Sequence, residues 1–212
     1  MASQARLLVA AIDFGTTFSG WAFSFKHEFE TDPKKVCTKT WVGANMTSSK
    51  TPTTILIEPD GKTLNSFGYD AESKYTSLKP EQAKQYYYFR RFRMMLYGKN
   101  IDRTLSLSDE TNKSLLAKTV FSLGIRFLRD DVINTIKAVT TGTGLREDDI
   151  QWVLTVPAIW EDAAKQFMRE AAVEFQRFQV IRMSYKGIAN DYVLICLEHR
   201  RNHQDMITKF LQ

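Results

Sequence analysis

The sequence is short of most features that would assign it at a glance. It has two cysteines in 212 residues, Cys37 and Cys196. They are too few and too far apart for the disulfide framework of a small secreted scaffold, so both are expected as free thiols. No run approaches the roughly 18 apolar residues needed to span a bilayer. The apolar run Leu7–Ile12 is stopped by Asp13, which leaves it too short for a signal-peptide core. A cytoplasmic protein with no membrane partner is expected. The excess of positive charge is small, a net +5. Basic residues are scattered, apart from Arg90, Arg91 and Arg93, so no nucleic-acid partner is expected. That triplet reads first as a solvated helix face, with an anionic ligand as the alternative. Internal repeats and low-complexity linkers are also missing.

Two common nucleotide signatures are absent as well. Gly15 and Gly20 have the Walker A spacing, but Trp21 stands where that motif needs Lys. No G-x-G-x-x-G follows a strand, so a Rossmann dinucleotide site has no support. Gly142-Thr-Gly144 reads as a chain reversal between a helix and a strand.

What is present has the periodicity of a mixed α/β protein. Leu7–Ile12 is a continuous apolar run before a turn, the pattern of a strand buried on both faces. Ser19–Phe25 alternates, with Trp21, Phe23 and Phe25 on one face, so residues 7–25 are predicted to form a hairpin with a half-buried second strand. Residues 26–53 are polar and are expected as loop, with a short strand near Val36–Val42. Ile55–Ile57 and Leu64–Phe67 flank Asp60-Gly61, the turn dipeptide of a second hairpin. Residues 69–98 are expected to be mostly helical and 99–111 to be loop. Leu116, Val120, Leu123, Phe127, Val132 and Ile136 recur near helical spacing. Trp152–Val156 is a short buried strand stopped by Pro157. Glu161–Phe175 is an amphipathic helix that turns Ala164, Phe167, Met168, Ala171, Ala172 and Phe175 inward.

The first turn carries the chemistry. Asp13 ends an apolar strand, and a partly desolvated carboxylate needs a partner. Hydrated Mg²⁺, which prefers oxygen ligands and keeps several waters, would serve. Gly15 lets backbone approach a ligand closely. Thr16 and Thr17 offer hydroxyls, and successive amides in a tight turn form an anion-binding nest. On spacing alone, an ordinary turn that uses Asp and Gly for local hydrogen bonds stays equally open.

Longer wording narrows the choice. Leu8-Val-Ala-Ala-Ile-Asp-Phe-Gly-Thr-Thr-Phe-Ser19 resembles the first phosphate-binding motif of the actin, hexokinase and heat-shock 70 kDa superfamily. Val153-Leu-Thr-Val-Pro-Ala-Ile-Trp160, running into Ala164-Lys-Gln-Phe-Met-Arg-Glu-Ala-Ala172, resembles a strand-to-helix segment of the heat-shock 70 kDa nucleotide-binding domain. In wording it is similar to the family's divergent 12A and 12B branch. Lys50-Thr-Pro-Thr53, Phe67-Gly-Tyr-Asp-Ala71 and Tyr87-Tyr-Phe-Arg-Arg-Phe-Arg93 fall between them in the family's order. The resemblance covers roughly residues 7–175.

That resemblance implies a partial actin-like ATPase domain of the ribonuclease H-like type. It is an α/β fold with a mixed sheet and flanking helices, of which residues 1–175 are the first lobe and 176–212 a divergent tail. It implies ATP or ADP as ligand, with Asp13 holding Mg²⁺ through water. Gly15, Thr16, Thr17 and the backbone at Phe18 would hold the β- and γ-phosphates. Arg93 is the counterpart of a family lysine that orients the attacking water, although Arg is larger, planar and permanently charged. Pro157 and Asp162 match the family's strand-to-helix turn. Unfolded or client proteins are the implied macromolecular partners. The family's later Glu-Pro motif, second phosphate loop and adenosine segment have no counterpart here, since Glu198 is followed by His199. ATP binding is therefore expected to be weak and turnover absent in this chain. A non-catalytic interaction protein and a sugar-kinase-like relative are the alternatives.

Overall fold

The structure, a computed structural model, describes residues 7–44, 46–96, 101–140, 145–157, 160–174 and 192–196. Strands β1 (Leu8–Phe14) and β2 (Phe18–Phe25) form the first hairpin. Helix α1 (Lys26–Thr31) follows, then the short strands β3 (Cys37–Thr38), β4 (Trp41–Val42), β5 (Thr47–Ser48) and β6 (Thr51–Pro52). Strands β7 (Thr54–Ile57) and β8 (Leu64–Phe67) make the second hairpin. Helices α2 (Tyr69–Ser77) and α3 (Pro80–Ala83) lead to β9 (Tyr87–Arg90) and a 3₁₀ turn, Phe92–Leu96. Strands β10 (Ser106–Ser108) and β11 (Ser114–Leu116) precede the long helix α4 (Ala117–Val139). Strand β12 (Ile150–Pro157), helix α5 (Asp162–Val173) and strand β13 (Tyr192–Cys196) complete the described elements.

The main sheet has the order β13-β12-β1-β2-β3, with β6 also pairing with β2. β1 runs parallel to β12, and the other pairs are antiparallel. This is a mixed sheet flanked by helices, as expected. β7 lies between β8 and β9 in a separate three-stranded sheet. The proposed boundary after residue 175 falls outside the described residues. From the stretch beyond it, β13 joins the main sheet antiparallel to β12.

Alternation along β1 assigns its two faces different work. Leu8, Ala10, Ile12 and Phe14 enter the main core with Trp21 and Phe23 of β2 and Trp152, Leu154 and Val156 of β12. Helix α4 covers this face with Val120, Phe121, Leu123, Leu128, Val132 and Ile136, and α5 with Phe167, Met168, Ala171 and Ala172. The α4 stripe follows the expected spacing. Leu116 is the exception, since it lies in β11, half exposed, one residue before the helix. Asp131 on α4 fastens the helix to the sheet. Its two oxygens accept from Trp21 Nε1 at 2.8 Å and Lys39 Nζ at 2.6 Å.

Four expectations need correction. β2 is buried on both faces rather than one, because the following chain folds back over it. Ser24 Oγ donates to the Lys35 carbonyl at 2.7 Å, which satisfies a polar group on the second face. The described residues of 26–53 hold a helix and four short strands rather than one strand in a loop. Among the described residues of the stretch 69–98, only α2, α3 and the 3₁₀ turn Phe92–Leu96 are helical. Tyr87–Arg90 forms a strand against β7, because an aromatic run packs well on a pleated surface. Phe89 then points into the main core, while Tyr88 joins Leu56 and Ala71 in a satellite cluster. The expected loop 99–111 likewise contributes β10 among its described residues.

Phe14 sits at the centre of the packing under the first turn. Its ring meets Phe92 and Phe121 at centroid distances of 5.8 Å each and Phe67 at 6.4 Å. Phe14→Ala is predicted to destabilise the chain by about 3–5 kcal/mol, measured by urea unfolding. Tyr88 yields a second test. It stacks on Tyr75 with centroids 3.8 Å apart. Burial first, then the Glu72 carboxylate, push its phenol from 10.0 up to about 12, with Arg90 opposing. The fold thus favours the neutral phenol. That contribution is complete below pH 10.0 and is lost as pH rises toward about 12. Tyrosinate absorbance should show a late phase that Tyr88→Phe removes.

Candidate functional site

The turn between β1 and β2 is shaped from behind. Arg93 Nη1 donates to the Phe14 carbonyl. Thr53 Oγ1 donates to the Gly15 carbonyl at 2.8 Å, and the Thr53 amide donates to the Thr17 carbonyl at 2.9 Å. Since the single Thr53 hydroxyl proton is spent on Gly15, the Ser19 hydroxyl, 2.7 Å from Thr53 Oγ1, must be the donor in that pair. Among the described residues the peptide bonds are all trans, and in a trans peptide C=O and N–H point in opposite directions. With the carbonyls of Phe14, Gly15 and Thr17 drawn inward, the amides of Gly15, Thr16 and Phe18 face away from those anchors.

Gly15 is required by this turn. A Cβ there would stand 2.0 Å from the Phe18 carbonyl oxygen, inside any tolerable contact. Thr16 is half-buried, while Thr17 and Phe18 are exposed at the tip.

Asp13 precedes the turn on the sheet face opposite the aromatic core, and it is 3% exposed. Burial on this scale requires both carboxylate oxygens to be satisfied. Thr155 Oγ1 of β12 donates to Oδ1 at 2.7 Å. Lys50 Nζ donates to Oδ2 at 2.5 Å. The parallel register, Ile12 beside Leu154, places Thr155 next to Asp13. Gly20 is the cross-strand partner of Asp13 and therefore shares its face. A Cβ on Gly20 would lie 3.1 Å from Lys50 Cγ and 2.9 Å from the Ser49 carbonyl, so the missing side chain leaves the lane along which Lys50 reaches the carboxylate.

The expected residues Asp13, Gly15, Thr16, Thr17 and Phe18 thus form one continuous tip, and Arg93 is brought to it from the far side. Arg93 is buried, with its guanidinium 4.5 Å from the centre of the Trp160 ring. It supports the loop backbone through the Phe14 carbonyl. Arg90 and Arg91 are exposed, so the triplet divides into two solvated residues and one buried one. The Gly142-Thr-Gly144 loop and the pair Glu198-His199 lie outside the described residues.

Sequence reasoning did not single out Thr53, Ser19, Thr155 or Lys50 for the site. One signal was available for Thr155. It is the lone hydroxyl in the apolar stretch Trp152–Val156, and a buried hydroxyl needs a partner. Lys50 carried no such signal.

The donor chemistry suits a phosphate chain, with outward amides and hydroxyls at a tip whose one nearby acid carries a cation. A Mg²⁺ ion is compatible with Asp13 when phosphate oxygens and water complete its shell. Among the described residues no group of three or more His, Cys, Asp or Glu side chains stands together to hold a metal alone. No helix among them is long and apolar enough to cross a membrane.

Comparison with known proteins points one way. No protein-family model matches the chain. Heat shock 70 kDa protein 12B of Homo sapiens is 41% identical over 170 residues, which is 78% of this chain and 24% of that protein. Heat shock 70 kDa protein 12A of Mus musculus is 38% identical over 175 residues, 81% of this chain and 25% of that protein. The Homo sapiens 12A protein is 37% identical over the same length. The chain therefore spans about a quarter of the length of the curated relatives it matches.

Thr155→Val tests the Asp13 arrangement. It removes the hydroxyl from Oδ1 at nearly constant shape and leaves a buried acceptor unmet. A loss of about 1–3 kcal/mol is expected in urea unfolding.

Proposed function

This chain belongs to the heat shock 70 kDa protein 12A/12B family, and on that premise we propose that its β1–β2 turn holds the phosphate chain of ATP or ADP. The described α/β unit is read as the first lobe of an actin-like nucleotide-binding domain. One observation carries the reading. Three carbonyls of the turn are tied inward, which turns the amides of Gly15, Thr16 and Phe18 outward beside a strand-end carboxylate.

In this reading the outward amides donate to the β- and γ-phosphate oxygens, and the Thr16 and Thr17 hydroxyls add donors at the rim. Arg93 is a positioning residue. It holds the loop through the Phe14 carbonyl and adds permanent positive charge behind it. When bound, Mg²⁺ held at Asp13 through water would neutralise phosphate charge. The reading covers phosphate holding. Phosphoryl transfer needs stabilising groups on both sides of the nucleotide, and the residues described here stand on one side. ATP turnover and any chaperone action are proposed only for a protein of the relatives' full length.

The test is a titration of the chain with Mg·ATP, following the amide NMR signals of Thr16, Thr17 and Phe18. Those signals should move in a saturable way. Asp13→Ala should weaken binding by about tenfold or more, equivalent to roughly 1.4 kcal/mol. Unmoved tip signals at saturating nucleotide would overturn the reading.

A further inference from the structure

We infer that Lys50 is a resident counter-cation of the phosphate site, able to take over part of the work of a divalent ion. This inference rests on the phosphate-holding reading of the turn and extends it to the site's metal dependence.

Three features make the Lys50–Asp13 contact a built one rather than a chance surface pair. The carboxylate is 5% exposed and the lysine side chain 42%, so the ammonium approaches a desolvated acid from the open side. The lane for its stem exists because position 20 is glycine, where a Cβ would press on Lys50 Cγ. The lysine backbone is also fixed. Its amide donates to Ser48 Oγ at 3.2 Å, and the next residue, Thr51, pairs with Ser19 of β2.

The consequence follows from charge. An ammonium has three donors and no acceptor. With one proton on Asp13 Oδ2, the others remain for oxygens on the open side, where an anion on the turn would lie. A cation that approaches Oδ2 through water meets the ammonium already there, and like charges at such distances repel. Divalent binding at Asp13 therefore competes with Lys50, and that competition offsets part of what the ion contributes. Without a divalent ion, Lys50 still neutralises Asp13, so an incoming phosphate chain does not meet a bare carboxylate.

The test compares ATP affinity in MgCl₂ with that in EDTA, read from the tip amide signals of the intact chain. In the unaltered protein the two affinities should lie within about threefold. In Lys50→Met the affinity in EDTA should fall by roughly tenfold or more, the scale of one charge-assisted hydrogen bond, while the affinity in MgCl₂ changes less. Lys50→Arg, which keeps the charge, should restore the narrow ratio. Strictly magnesium-dependent binding in the unaltered protein overturns the inference and leaves the phosphate reading standing. This arm needs no variant to fold. The same ratio in the unaltered protein and Lys50→Met also overturns it. No ATP binding under either condition overturns the inference together with the phosphate reading.

Discussion

A carboxylate at the end of a buried strand constrains everything around it. Asp13 is almost completely removed from water, and an ion so placed must be met on both oxygens or the strand is destabilised by several kcal/mol. The solution draws on three separate parts of the chain. β12 contributes Thr155, the segment before β6 contributes Lys50, and β2 contributes the absence of a side chain at Gly20. The parallel pairing of β1 with β12 therefore does more than extend the sheet. It brings a hydroxyl to Oδ1 in a register that a slip of one residue would undo.

The same strand serves packing and chemistry by simple alternation. Phe14, one position after Asp13, points to the opposite face and packs among Phe67, Phe92 and Phe121. Its carbonyl accepts from Arg93, whose guanidinium lies against Trp160. The turn is thus clamped between an aromatic core below and a buried arginine behind. Interiors are close-packed and transmit strain, so changes in the core under Phe14 would be felt at the tip.

How much of this was legible in the sequence depends on the range of each interaction. The first hairpin, the second hairpin, α4 and α5 were readable because their signals are local. Leu8–Ile12 is apolar throughout, Asp60-Gly61 marks the turn of the second hairpin, and the inward stripes of both helices repeat near the helical period. Residues 87–90 were misread as helix because four aromatics in a row satisfy neither period clearly, and pairing with β7 decided the outcome. The tip residues from Asp13 to Phe18 were readable as a group, since they are contiguous. Their partners were not. Lys50 lies 37 positions from Asp13, Thr155 lies 142, and Arg93 lies 79 from Phe14. No periodicity reports on contacts of that range, and the family wording flagged Arg93 without saying that it would approach the loop from behind.

The placement of the two cations explains why the turn can be rigid before any ligand arrives. Arg93 is permanently charged and buried, so it suits the fixed task of holding a carbonyl. Lys50 is a compact charge on a flexible, partly exposed stem, suited to a contact that can be exchanged. A lysine in place of Arg93 would have no planar group to lie against Trp160. With the carbonyls already anchored, the proposed phosphate binding would have little backbone left to order, since preorganised donors cost little reorganisation when charge arrives. The rigid part of the site is its backbone, and the adjustable part is one lysine.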